Sequence, residues 1–82
     1  MASGDKKVTM LLADARPGLK YKIVSIYGGY GLNARLNAMG IIPGEIVKVI
    51  HHTRRGPITM AVKGVRIALG RGVSYKIEVR KL

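Results

Sequence analysis

The sequence has 82 residues, and its 15 lysines and arginines against four acidic residues give it a formal net charge of +11. We expect a single domain, because a second hydrophobic core would need roughly 50 residues or more of its own. The chain contains no cysteine, which excludes disulfides, thiolate metal sites and cysteine nucleophiles. Its 48% hydrophobic composition is typical of a folded protein.

The N-terminal residues lack the pattern of a signal peptide or membrane anchor. Lys6 and Lys7 precede the apolar residues 8–13, but this run is too short for the hydrophobic region of a signal peptide, and Asp14 follows it directly. The chain nowhere approaches the ~20 consecutive apolar residues that a membrane-spanning helix needs. These patterns predict a cytoplasmic protein whose residues 1–7 are disordered.

Turn-forming glycines and prolines divide the chain into short segments rich in Val, Ile, Thr and Tyr. This composition predicts a mainly all-β fold, a small barrel of five to six strands with one short α-helix. The first long strand is expected at residues 20–27, with Tyr21 and Ile23 facing inward. Because Ile26 falls on the opposite face, a β-bulge is predicted near Val24 and Ser25.

The helix follows this strand. Leu32, Leu36 and Met39 recur at i, i+4 and i+7, which predicts a helix of about two turns with an apolar stripe. Leu36 and Met39 are expected to anchor this helix to the core. Residues 28–31, Gly-Gly-Tyr-Gly, are expected to form the loop before it. Gly40 is expected to end the helix in the left-handed conformation.

Four further strands are predicted, at residues 45–52, 57–62, 65–69 and 73–80, because apolar and polar side chains alternate along each of them. The residues expected to face inward are Val47, Val49, Ile58, Met60, Val62, Val65, Ile67, Leu69, Val73, Tyr75, Ile77 and Val79.

The polar residues do not form a recognisable catalytic or metal-binding motif. The four acidic residues are dispersed along the chain, which argues against a carboxylate pair for acid–base chemistry. His51 and His52 are adjacent in a predicted strand, so their side chains point to opposite faces and cannot chelate one ion together. We therefore predict no catalytic residues, no metal site and no cofactor.

The strong positive charge favours an anionic partner, which could be nucleic acid, an anionic membrane surface or an acidic protein face. Binding of single-stranded nucleic acid relies on exposed aromatic side chains for base stacking. The chain has no Phe or Trp, and among its tyrosines only Tyr27 and Tyr30 are not assigned to an inward-facing strand position. Nucleic-acid binding by a basic β-barrel is therefore the alternative rather than the leading hypothesis.

Residues 35–44, with the sequence RLNAMGIIPG, resemble the signature of the FeoA family. Gly56-Pro57 and residues 62–71, VKGVRIALGR, follow at the spacing seen in that family, and residues 11–23 resemble its opening. The resemblance implies an SH3-like barrel and a small cytoplasmic accessory protein of ferrous-iron uptake. It also implies a partner, FeoB, the membrane transporter that imports Fe²⁺ and carries a cytoplasmic G-protein domain.

Related SH3-like domains form the C-terminal part of iron-dependent transcriptional repressors. Those proteins carry a helix-turn-helix region before the SH3-like domain, and the seven residues before Val8 are too few for one. We therefore expect an accessory protein rather than a repressor. Two modes of action stay open: docking to the transporter and control of its nucleotide hydrolysis.

Two groups of residues are expected to contact the partner. The first flanks the helix positions assigned to the core, and the second consists of arginines that could meet an acidic protein face or, weakly, anionic lipid headgroups. The predicted partner-binding residues are Tyr30, Leu32, Asn33, Arg35, Asn37, Arg54, Arg55, Arg66 and Arg71. Self-association through edge strands is left open.

Overall fold

The computed structural model describes residues 8–82, so the expected disorder of residues 1–7 lies outside the described part of the chain. The elements in chain order are β1 (Thr9–Leu11), a 3-10 turn (Leu12–Asp14), β2 (Lys20–Ile26), α1 (Gly29–Ala38), β3 (Ile46–His52), β4 (Ile58–Val62), β5 (Val65–Leu69), α2 (Arg71–Ser74) and β6 (Ile77–Lys81).

The strands form one six-stranded sheet in the order β1-β6-β2-β3-β4-β5. Every neighbouring pair is antiparallel. This confirms the mainly β architecture and the predicted number of strands. None of the helices in the described part of the chain is long and apolar enough to cross a membrane.

The inward faces of the strands pack into one hydrophobic core, because alternate residues of a strand lie on the same face of the sheet. The predicted inward positions of β3 and β4 are all buried, as are the predicted positions Tyr21 and Ile23 of β2. The buried core residues are Leu12, Ala15, Tyr21, Ile23, Leu36, Ile41, Val47, Val49, Ile58, Met60, Val62, Leu69, Ile77 and Val79.

The predicted bulge in β2 is confirmed. The register between β2 and β6 shifts between Ile23 and Ser25, so that one extra residue of β2 lies opposite β6. A second shift, between Val49 and His51, occurs where β3 pairs with β4. Such shifts bend the strands, which lets a single sheet curve around its own core.

The prediction of one strand over residues 73–80 was wrong in its first half. The segment begins with the short helix α2 (Arg71–Ser74), and β6 starts only at Ile77. Ser74 is fully buried and its hydroxyl donates a hydrogen bond to the Arg71 carbonyl oxygen (2.7 Å). Tyr75, expected inward, is 51% exposed, because the chain turns there before it enters the sheet.

Helix α1 is longer than predicted, since it begins at Gly29 within the expected loop and has ten residues. Its end agrees with the prediction: Gly40 has φ +87°, and the Ile41 amide donates to the Leu36 carbonyl oxygen (2.9 Å). Leu36 is buried and Leu32 packs against the core. Met39 departs from the expected apolar stripe, because it is 41% exposed.

The start of α1 requires glycine at position 28. A Cβ atom there would lie 2.0 Å from Leu32 Cδ2 and 2.9 Å from Leu32 Cβ, so Gly28→Ala is expected to lower the free energy of unfolding by about 1 kcal/mol or more. Gly31→Ala is the matched control inside the helix, where a Cβ would meet no atom within 4 Å. It should raise stability by about 0.5–1 kcal/mol. Urea denaturation of both variants checks the opposite signs, and a loss of stability in Gly31→Ala would contradict this account of α1.

Candidate partner-binding surface

The predicted partner-binding residues of α1 fall on different sides of the helix. Tyr30, Asn33 and Asn37 recur at i, i+3 and i+7 and therefore lie along one side of the helix, with Asn33 nearest to the buried Leu36. Tyr30 is 92% exposed and Asn37 is also exposed, whereas Asn33 is half-buried, and its Oδ1 atom is buried with no hydrogen-bond partner among residues 8–82. We call Tyr30, Asn33 and Asn37 the outer face of α1.

The other two helix residues of the predicted set do not belong to this outer face. Leu32 packs against the core, so its side chain is largely withdrawn from any partner. Arg35 is exposed and precedes Met39 by four residues, so both lie toward the same edge of the helix.

Arg54 and Arg55 lie in the loop between β3 and β4, where both are exposed. The loop is closed by a hydrogen bond from the Gly56 amide to the Thr53 carbonyl oxygen (3.3 Å). The two guanidinium groups are free of ion pairs among the described residues, so this loop is a compact site of positive charge. We call it the basic loop.

Arg71 was expected to point outward, but it is half-buried. Its guanidinium NH2 group donates to the Thr53 carbonyl oxygen and to His52 Nε2 (3.0 Å). His52 Nδ1 lies 2.8 Å from the Ala15 carbonyl oxygen, which can only accept, so Nδ1 carries the proton and Nε2 is free to accept from Arg71. Arg71 therefore supports the basic loop from beneath.

Arg66 is exposed on β5 and pairs with Ala61 of β4. It lies three residues from Leu69, the β5 residue that pairs with Ile58 next to the basic loop. At about 3.3 Å per residue this places Arg66 roughly 10 Å along the strand from the loop. The structure thus brings Arg54, Arg55 and Arg71 together and leaves Arg66 apart.

Tyr27 was expected to be free for contacts, but its hydroxyl donates a hydrogen bond to Glu78 Oε1 (2.5 Å). Hydrogen bonds from the side chains of Thr9 and Tyr27 hold the pKa of the Glu78 carboxyl below its ordinary value, because they favour the ionised form. Tyr30 is left as the tyrosine of this region with the freest side chain.

The described part of the chain does not bring metal-ligating side chains together. Residues 8–82 contain no group of three or more His, Asp or Glu side chains able to hold a metal ion. His51 is exposed, and both ring nitrogens of His52 are engaged by Arg71 and the Ala15 carbonyl.

An apolar groove that the sequence did not predict lies between the end of α1 and the β4–β5 hairpin. Its volume is about 430 Å³, and its lining includes Met39, Gly40, Val62, Lys63, Val65 and Ile67. Val65 was expected to face the core, but it is 60% exposed, because β5 is the last strand of the sheet and no strand of residues 8–82 covers its other side.

Comparison with known proteins identifies the family. The FeoA domain model matches residues 10–81. A protein of Methanocaldococcus jannaschii with the provisional name Fe(2+) transport protein A is 41% identical over 68 residues, which make up 83% of this chain and 82% of that protein.

Solved structures agree with this match. The crystal structure of an iron uptake regulatory protein, FeoA, superposes with a TM-score of 0.86 at 37% identity, over 92% of this chain and 100% of that one. Iron(II) transport protein A from Clostridium thermocellum gives 0.82 at 26% identity, over 89% of this chain and 46% of that one. A manganese-dependent transcriptional repressor shares the fold, with a TM-score of 0.78 at 22% identity over 94% of this chain and 44% of the repressor.

These neighbours confirm the SH3-like barrel expected from the sequence. The family model covers nearly all of the described residues, and the M. jannaschii relative is similar over most of its own length. This chain belongs to the FeoA family.

Proposed function

We propose that this chain is a cytoplasmic, non-catalytic accessory protein of ferrous-iron uptake that binds the cytoplasmic domain of a FeoB-type membrane transporter. The observation that carries the proposal is the FeoA domain match over residues 10–81. The name of the 41%-identical relative, Fe(2+) transport protein A, supports the same process.

The charge of the chain suits binding to an acidic protein surface. The net charge is +11, and the basic loop exposes two of the positive side chains, Arg54 and Arg55. Charges of this kind steer the encounter and raise the association rate more than they raise affinity. The outer face of α1 adds Tyr30, an aromatic residue of the type enriched at binding hot spots.

Nucleic-acid binding is the competing function, and the charge of +11 is the observation that favours it. Stacking of bases would need several exposed aromatic rings along a basic groove. Three tyrosine rings are exposed, those of Tyr27, Tyr30 and Tyr75. The Tyr27 hydroxyl is tied to Glu78, but its ring stays accessible. Weak contact of the basic loop with anionic lipids beside the transporter is compatible with the accessory role, since each Arg near such a surface contributes only about 1 kcal/mol.

The test reverses the charge of the basic loop. Arg54→Glu combined with Arg55→Glu is expected to slow association with the purified cytoplasmic domain of the transporter about tenfold and to reduce the dependence of binding on salt. Surface plasmon resonance at low and moderate salt measures both quantities. Lys48→Glu combined with Lys76→Glu is the matched control, because both residues are exposed and the change in net charge is the same.

Two results would count against these assignments. Equal slowing in both double variants would mean that net charge acts without a specific role for the basic loop. Absence of wild-type binding to the transporter domain, together with tight and strongly salt-dependent binding to single-stranded RNA, would reject the accessory role in favour of nucleic-acid binding.

A further inference from the structure

The apolar groove lies where the barrel is not covered by a strand. Val65 and Ile67 are on the core-facing side of β5, yet Val65 is 60% exposed and Ile67 is half-buried. The end of α1 covers only part of this opening. Gly40 lies close to β4, since a Cβ atom at this position would be 3.6 Å from Val62 Cγ1. The preceding residue, Met39, is 41% exposed. The groove is thus an apolar opening beside a free sheet edge.

The free edge of β5 carries unused backbone hydrogen-bonding groups. Val62 pairs with Val65 across the two-residue turn of Lys63 and Gly64, and such a turn closes on a hydrogen-bonded pair. Since hydrogen-bonded and non-hydrogen-bonded pairs alternate in an antiparallel ladder, Arg66 and Ala68 direct their N–H and C=O groups away from β4. Within residues 8–82 no other strand pairs with this edge.

The turn that borders the groove holds a lysine in an unfavourable conformation. Lys63 has φ +52° and is the only residue other than glycine with a positive φ in the described part of the chain. Gly or Asn would adopt this conformation more readily. Lys63 lines the groove, and its Nζ atom lies 3.5 Å from Glu45 Oε1. Lys63 therefore places an ammonium group, paired with Glu45 but 69% exposed, at the rim of the groove. Arg66 on the same hairpin is exposed on the opposite face of β5, because it alternates with Val65 and Ile67.

The charge of the chain and the free edge of β5 indicate which kind of partner could bind in the groove. A second copy of the chain would bring another +11 of charge to the same place, which opposes association. An acidic segment has the opposite charge, and an extended one can use the free backbone groups of β5. We propose that the β5 edge and the apolar groove bind an extended, acidic segment of the transporter's cytoplasmic part, which adds to the sheet as a strand.

In this arrangement one apolar side chain of the segment enters the groove against Met39, Val65 and Ile67. Its Asp or Glu side chains meet Lys63 and Arg66, and its backbone pairs with Arg66 and Ala68. The inference rests on the proposed function, because it names the part of the chain that would contact the same transporter.

Amide hydrogen exchange of the isotope-labelled chain, free and bound to the purified cytoplasmic domain of the transporter, tests the inference directly. Strand addition should slow exchange of the Arg66 and Ala68 amides at least tenfold, since both would become hydrogen-bonded. This measurement uses the unmodified chain and therefore does not depend on the folding of a variant.

Two substitutions give a second, independent test. Val65→Glu places an acidic group in the groove and should weaken binding about tenfold or more. Val24→Glu is the matched control, because Val24 is an exposed valine of β2 that does not line the groove. Ala68→Pro removes the free-edge amide at a position where edge strands tolerate proline, and it should also weaken binding.

The possible results separate the inference from the function on which it rests. Wild-type binding with unchanged Arg66 and Ala68 exchange, or with full affinity in Val65→Glu, would overturn the inference and leave the proposed function standing. Protection that grows with the concentration of the free chain and accompanies dimer formation would assign the edge to a second copy and also overturn it. No binding by the wild-type chain would reject the proposed function itself.

Discussion

Replacing Leu36 with alanine is expected to lower the free energy of unfolding by about 2–5 kcal/mol, the range measured for leucine-to-alanine changes in protein cores. Leu36 is only 1% exposed and belongs to the hydrophobic core. A domain of this size has roughly 4–12 kcal/mol of stability in total. The variant should therefore unfold at a much lower urea concentration than the wild-type chain, as followed by circular dichroism.

Met39→Ala is the control for this prediction. Leu36 and Met39 belong to the same apolar stripe in the sequence, but Met39 is 41% exposed and lines the groove. Its replacement should cost about 1 kcal/mol, well below the loss expected for Leu36→Ala, because a large part of the Met39 surface already lies in water. An equal loss in the two variants would show that Met39 is part of the core, which would also remove one wall of the proposed binding groove.

The sequence predicted the fold well where one face of a strand is buried along its whole length. In β3 and β4 the alternation of apolar and polar side chains matches burial at every predicted inward position, because both strands have neighbours on each side. In β5 the same alternation overestimates burial at Val65, since the strand lies at the edge. Local pattern alone does not reveal which strand ends up there.

The error at residues 73–76 has a different cause. Val73 and Tyr75 continue the alternation of Ile77 and Val79, so period two extends without a break through the helical turn of α2. The helical turn is stabilised by backbone hydrogen bonds such as that from the Ser74 amide to the Gly70 carbonyl oxygen (3.0 Å). Gly70 and Gly72 indicated that the strand starts later, because glycines on both sides of Arg71 favour a turn over a strand.

The candidate site was harder to predict than the fold. Its residues are exposed, so their positions leave little trace in a hydrophobic pattern, and the family resemblance supplies no binding residues. The turn at Lys63 and Gly64 was predicted, since it separates two short strands, and a two-residue turn of this kind favours positive φ at both positions. The sequence did not indicate that this turn borders a groove. The groove itself depends on where α1 ends relative to β5, which is a tertiary contact.

Arg71→Ala is expected to lower the free energy of unfolding by about 2 kcal/mol. The substitution removes two hydrogen bonds donated by a charged group, to His52 Nε2 and to the Thr53 carbonyl oxygen, and bonds of this kind contribute about 1.5–3 kcal/mol when well shielded. The half-buried position of Arg71 places the expected loss toward the lower end. Urea denaturation at neutral pH measures it.

Two further variants separate this structural role from partner binding. Arg71→Lys should recover less than half of the loss, because a single ammonium group does not reproduce the planar fork of donors that reaches both acceptors. Arg66→Ala, an exposed arginine without a hydrogen-bond partner among the described residues, should change stability by no more than about 0.5 kcal/mol. If Arg71→Ala is as stable as Arg66→Ala, the contacts beneath the basic loop contribute nothing. A second outcome is that Arg71→Ala is destabilised and also binds the transporter domain more slowly. The slower binding would then come from movement of Arg54 and Arg55, because the Arg71 side chain holds the loop that carries them.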